Sequence, residues 1–188
     1  YGKKWGIFHH YLYNIQNNPL FSNNQNAGET DWNICTGALD VKLLAKTLHE
    51  IGAGYYFITV MQGRKYMIAE NNTYRTIVGD DVANECLSRR DLIEELYTEL
   101  SQYNIDLYLY FTGDGPYKDV QIGNLFGFTE PRTNITVDFV RKWAAVLRDY
   151  SIRYGNKVKG WWLDGMYQQE FGYTTELMQL YYNAIKVN

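Results

Sequence analysis

The sequence predicts an α/β fold on a parallel sheet, of the (β/α)8 barrel type, with about four βα units present. Three observations carry that expectation. Four short runs rich in aromatic and β-branched residues alternate with stretches of helical period, in the order βαβαβαβα. These runs are apolar at successive positions, which suits strands covered on both faces by helices. The first run ends in His9-His10-Tyr11, where an open nucleotide-binding sheet would carry a glycine-rich phosphate turn, so a barrel is the better reading.

The elements follow in order. Trp5 to Tyr11 reads as the first strand, ending in a polar cluster, and the Asn- and Gln-rich residues 14–31 read as a loop. Val41, Leu44, Ala45, Leu48 and Ile51 then recur at helical spacing, with Asp40 as the N-cap and Gly52 as the stop. Tyr55 to Val60 has the makeup of a buried strand. Ser88 precedes the stripe Leu92, Ile93, Leu96, Leu100 and Tyr103, and Asp91 stands three residues after it, so Ser88 is read as opening a capped helix. Asp106 to Phe111 is the third strand, stopped by Thr112-Gly113-Asp114-Gly115-Pro116. Residues 137–154 form a helix with Val140, Trp143, Ala144, Leu147 and Tyr154 on one face. Val158 to Leu163 is the fourth strand, and Thr174 to Ile185 the last helix.

A chain of 188 residues is long enough for one core and short for two, so residues 1–188 are expected to form one α/β domain. Hydrophobic content of 46% and charged content of 21% exclude a disordered chain. A net charge of −3 gives no electrostatic footprint for nucleic acid or an anionic membrane, and no apolar stretch reaches the ~20 residues of a membrane span. The 18 Tyr and 5 Trp suit either a Tyr-rich core or a surface that holds sugars. Cys35 and Cys86 lack metal-like spacing and read as buried thiols in preference to one bridge. Asn71-Asn72-Thr73 and Asn134-Ile135-Thr136 are sequons. The sequence starts at Tyr1, which leaves room for a secretion signal upstream.

In barrels the chemistry gathers at the C-terminal ends of the strands. Here those ends carry His9 and His10, then Gln62 and Arg64, then Asp114, then Asp164. A fixed carboxylate such as Asp164, flanked by Trp161, Trp162 and Tyr167, suits attack on the anomeric carbon of a sugar, because it stabilises a positive oxocarbenium-like transition state and can form the covalent intermediate. A helix N-cap or a loop salt bridge is the alternative role for Asp164, and a packed, hydrogen-bonded side chain the alternative for His10. His9 and His10 do not suggest a metal site, since neighbouring strand residues point to opposite faces. Arg89 and Arg90 read as solvated charges at a helix start, and Asp114-Gly115 as turn chemistry.

The succession WGIFHHY, GAGYYFITV, SRRDLIEELYTEL, IDLYLYF and KGWWLDG resembles the N-terminal half of the catalytic barrel of glycoside hydrolase family 29, the α-L-fucosidases, in a divergent branch. The resemblance covers nearly the whole chain. It implies a retaining exo-glycosidase, secreted or periplasmic, that needs no metal or other cofactor and whose partner is a carbohydrate. By this resemblance Asp164 in Trp162-Leu163-Asp164-Gly165 is the nucleophile and His10 in Phe8-His9-His10-Tyr11 a substrate contact. Tyr11 replaces the Trp of that motif. His9, Tyr11, Gln62, Tyr66, Trp162 and Tyr167 are the further expected sugar contacts.

Two departures from the family stand out. Gln62-Gly63 replaces a His-His pair that helps hold fucose, and Arg64 takes the acidic position after it. Only four βα units are present, whereas the family's acid/base comes from later strands; Glu170 is the nearby carboxylate able to substitute. Either a homo-oligomer of half-barrels or association with a missing half would complete the barrel, and the chain by itself is not certain to turn over substrate. A non-catalytic carbohydrate-binding or scaffold protein built on the same barrel is the alternative. A barrel enzyme for phosphate-bearing substrates ranks last, for want of a phosphate loop.

Overall fold

The computed structural model describes residues 5–21, 25–132 and 134–187; the expectation drawn from Tyr1 and part of the predicted 14–31 loop lie outside them. Four strands, β1 (Gly6–His9), β2 (Tyr55–Thr59), β3 (Asp106–Thr112) and β4 (Gly160–Asp164), form one sheet. All three pairings are parallel and the strand order is sequential, β1-β2-β3-β4. Sequential order is what successive βα units lay down around a barrel, whereas a doubly wound sheet reverses its order. The fold is thus α/β and consistent with part of a barrel. Among the described residues β1 and β4 each pair on one side only.

The predicted helices form as α3 (Val41–Glu50), α6 (Leu92–Ser101), α8 (Val137–Tyr154) and α10 (Thr175–Ile185). Asp40 caps α3 by accepting from the Leu43 N–H, but Ile51, assigned to the buried stripe, is 51% exposed. The N-cap of α6 is Asp91 and not Ser88. Ser88 is buried three residues upstream, where its hydroxyl donates to that of Thr36. Six shorter helices were not read from the sequence: α1 (Tyr13–Gln16), α2 (Trp32–Gly37), α4 (Asn72–Val78), α5 (Asp80–Cys86), α7 (Val120–Phe126) and α9 (Gln168–Phe171). They are four to seven residues long, too short to repeat an apolar period. Strand β4 starts two residues and ends one residue later than expected, so Asp164 is its last residue.

The sheet has two unlike faces. Ile7 and His9 of β1, Tyr56 and Ile58 of β2, Leu107, Leu109 and Phe111 of β3, and Trp161 and Leu163 of β4 lie on the face that packs into the main core with the helices. Trp143 of α8 stacks on Phe111 at 4.9 Å and donates its indole N–H to the Thr112 carbonyl at 2.7 Å. The other face carries Phe8, Phe57, Tyr108 and Trp162, whose rings pack edge to face or in offset stacks at 4.7 to 5.6 Å. Trp162 is half exposed. The expectation that both faces are covered holds for the first face alone.

Smaller readings resolve in the same frame. Cys35 and Cys86 are buried free thiols, and burial pushes the Cys86 thiol up to about 12. Asn71 is fully buried, caps α4 and donates to the Val146 carbonyl, so the first sequon is inaccessible in the folded chain. Asn134 is exposed. Arg90 is not a freely solvated charge: it grips Glu95 with two N–H groups and donates to the carbonyls of Thr36, Gly37 and Leu39. None of the described helices is long and apolar enough to cross a membrane.

Candidate active site

The period of two along a strand builds the site. Tyr110 pairs with Trp162 and Thr112 with Asp164 across β3 and β4, so Tyr110, Thr112, Trp162 and Asp164 all face the aromatic side. The Tyr110 hydroxyl donates to Asp164 Oδ2 at 2.7 Å, and the Gly165 N–H donates to Oδ1 at 2.9 Å. Two donors thus compensate the carboxylate for water withdrawn from it. Burial, reinforced by the hydrogen bond to Asp164, raises the Tyr110 phenol far above its usual range, so it stays a donor at neutral pH. Asp164 is not a helix cap, since the residue preceding α9 is Tyr167, and among the described residues it forms no ion pair.

Asp164 opens into a cleft of about 280 Å³ whose walls include Gln62, Asp114, Tyr117, Lys118, Arg132 and Tyr167. Arg132 is positioned by its guanidinium lying 3.9 Å above the Tyr117 ring and 5.0 Å from that of Phe171. Asp114, in the turn after β3, is 7% exposed, and its Oδ1 has no hydrogen-bond partner among the described residues. Burial pushes its carboxyl up to about 6, against opposing pulls from Thr112, Arg132 and Lys118. Gly165 permits this proximity: its φ is +74° and a Cβ there would lie 3.2 Å from the Asp114 carboxyl. The Asp114 and Asp164 carboxyl groups are therefore no more than about 9 Å apart.

The structure gathers some of the expected site residues and separates others. Gln62 and Tyr167 line the cleft with Asp164. His10 is exposed beside Phe8 at 4.6 Å and lies 6.1 Å from the ring of Tyr110, the residue whose hydroxyl donates to Asp164, but it is not part of the cleft wall. Trp162 flanks Tyr110 on the open face. Tyr66 lies in an adjoining pocket with Gln62, Arg64 and Lys118, its ring stacked 3.9 Å from Tyr13. His9 points to the opposite face, where Nδ1 meets the Tyr56 hydroxyl at 2.6 Å; burial, then the nearby His10, lowers its pKa. Tyr11 is 1% exposed, and its hydroxyl donates to the Cys35 carbonyl. Glu170 is exposed on α9 and is not part of the cleft wall.

Asp114 was noted at a strand end but read as turn chemistry; the turn is present, and the side chain in it is buried against the cleft. Tyr110 was legible in principle, two residues before Thr112 on the same strand face. Lys118 and Arg132 gave no sequence signal, because irregular segments bring them in. Among the described residues no group of His, Cys, Asp and Glu is arranged to hold a metal ion.

No protein-family model matches the chain, and no curated protein matches it. Solved structures do. A bacterial fucosidase bound to a phenyl-triazole pyrrolidine inhibitor is 17% identical, with a TM-score of 0.61 over 97% of this chain and 44% of that one. An endo-fucoidan hydrolase of glycoside hydrolase family 107 is 14% identical, with a TM-score of 0.60 over 96% of this chain and 47% of that one. A family 29 α-L-fucosidase from Bacteroides thetaiotaomicron is 18% identical, with a TM-score of 0.53 over 79% of this chain and 32% of that one. The chain spans less than half the length of each of these enzymes, and what it shares with them is a glycosidase-like α/β fold.

Proposed function

We propose that this chain is the N-terminal half of the catalytic barrel of a retaining exo-glycosidase of α-L-fucosidase type, with Asp164 as its nucleophile. The observation that carries this reading is the Asp164 carboxylate at the end of β4, held by Tyr110 and the Gly165 N–H at the mouth of a polar cleft. Fixing both oxygens leaves the carboxylate aimed at one place, which lowers the entropy cost of attack on an anomeric carbon. Gln62, Tyr167, His10 and Trp162 surround it as sugar contacts, with hydrogen-bonding groups and aromatic faces that suit a pyranose. The fucosidase and fucoidan hydrolase folds support a fucose-containing substrate.

A second reading, a carbohydrate-binding protein without turnover, is favoured by one observation: Glu170, the nearby carboxylate able to substitute for the acid/base, is exposed and stands outside the cleft wall. Later strands would supply that group in a complete barrel. The test is turnover of an aryl α-L-fucoside by the full chain and by Asp164→Asn, with L-fucose binding measured on both. The catalytic reading expects a fall of at least about 1,000-fold in kcat with binding kept. Sugar binding without turnover, both by this chain and by one extended through the later strands, would establish the second reading instead.

A further inference from the structure

Asp114 is a buried carboxyl group that the roles above leave unused. It lies two residues beyond the end of β3, on the strand next to the one that carries Asp164. Its side chain is buried, and Oδ1 accepts no hydrogen bond from any described residue. An acceptor stripped of water and left without a donor costs free energy, and native structures keep few of them. Neither Lys118 nor Arg132, which share the cleft, forms an ion pair with it.

The surroundings restrict what can satisfy this oxygen. A cationic ligand would meet Lys118 and Arg132, and an anionic one would meet Asp114 and Asp164. A metal ion lacks the further ligands it would need among the described residues. A neutral donor remains, and a hydroxyl is the neutral donor that carboxylates bind best at short range. At about 280 Å³ the cleft falls below the usual range of pockets for drug-sized ligands, so it suits a single ring and not an oligosaccharide.

We infer that Asp114, which lines the cleft, is a sugar-binding residue, whose carboxylate accepts a hydrogen bond from one ring hydroxyl and so orients the ring toward Asp164. This rests on the reading of the Asp164 cleft as a sugar site. Gly165 is the structural link: its missing side chain lets the Asp114 carboxyl sit against the backbone that donates to Asp164, so one ring can reach both groups.

The test is calorimetric or NMR titration of the full chain and of Asp114→Asn with L-fucose and with its 2-, 3- and 4-deoxy analogues. The expected result is an affinity for L-fucose about 10- to 100-fold weaker in Asp114→Asn, the range for loss of a charged hydrogen bond. One deoxy analogue should bind the unmutated chain correspondingly weakly, yet bind Asp114→Asn no more weakly than L-fucose does. Equal affinity of the two proteins for L-fucose would overturn the inference. So would three deoxy analogues that each bind the unmutated chain within twofold of L-fucose, a result that does not depend on the variant folding. If L-fucose, D-galactose and L-rhamnose all fail to bind the unmutated chain, the sugar-cleft reading falls and takes this inference with it. Aryl fucoside turnover that depends on Asp164, with affinity unchanged in Asp114→Asn, would remove this inference alone.

Discussion

The two faces of the sheet are made of similarly apolar residues and live in different surroundings. On the helix-covered face Tyr56, Ile58, Leu107, Leu109 and Phe111 are each at most 2% exposed. On the other face Phe8, Phe57 and Tyr108 are only partly covered, and Trp162 is half exposed; the polar end of this face, with Thr112 and Asp164, forms the cleft. The closed face supplies hydrophobic stabilisation. The open face holds its rings against one another and leaves Trp162 half exposed.

The largest expected effect that tests this contrast is on the closed side. Trp143→Ala removes a fully buried indole from Phe111 and leaves the Thr112 carbonyl without its donor. It should destabilise the chain by about 4 kcal/mol in urea unfolding.

The next concerns the cleft. Asp114 titrates at about 6 in the folded chain against an ordinary 3.8, so the folded state holds more protons between those values. Stability should be fullest below pH 4 and fall as pH rises through 6. Asp114→Asn should flatten that slope and gain, relative to the unmutated chain, on the order of 2 to 3 kcal/mol between pH 4 and pH 7.5. Lys118, Arg132, Asp164, Tyr110, Tyr173 and Tyr181 face Asp114; burial raises the three phenols above their usual range, so none of the three titrates in that window.

Phe57→Ala, on the open face, should cost only about 1 kcal/mol, because the ring is already partly in water. A cost equal to that of Trp143→Ala would break the contrast by showing the open face covered in solution, and sedimentation of the same sample would show whether a second copy covers it. The smallest effect belongs to Glu170→Gln: an exposed side chain outside the cleft should leave stability within about 0.5 kcal/mol and aryl fucoside turnover unchanged. A large loss of turnover would make Glu170 the substitute acid/base.

Much of the framework was legible. Four strands, their parallel pairing and the four longer helices follow from period, and the cap at Asp40 follows from residue type. Asp164 was legible as well, because a carboxylate that ends an apolar run demands compensation. His9 and Tyr11 were assigned to the sugar from their neighbourhood in sequence, and both turned inward. In a strand, neighbours face opposite ways, so His9 went to Tyr56 while Phe8 took the open face.

What the sequence determined by itself is local: which segments are strands or helices, and that Asp164 ends the fourth strand. Such features depend on residues a few positions apart, and the chain's periodicity records them. The tertiary structure decided which apolar face is closed, and brought Asp114, Lys118 and Arg132 to Asp164 from separate loops. Among the described residues it also left Asp114 Oδ1 without a donor. Burial and hydrogen-bond satisfaction are properties of packing between distant segments, so the same Asp-Gly pair that reads as a turn along the chain becomes, once packed, a buried carboxylate beside the candidate nucleophile.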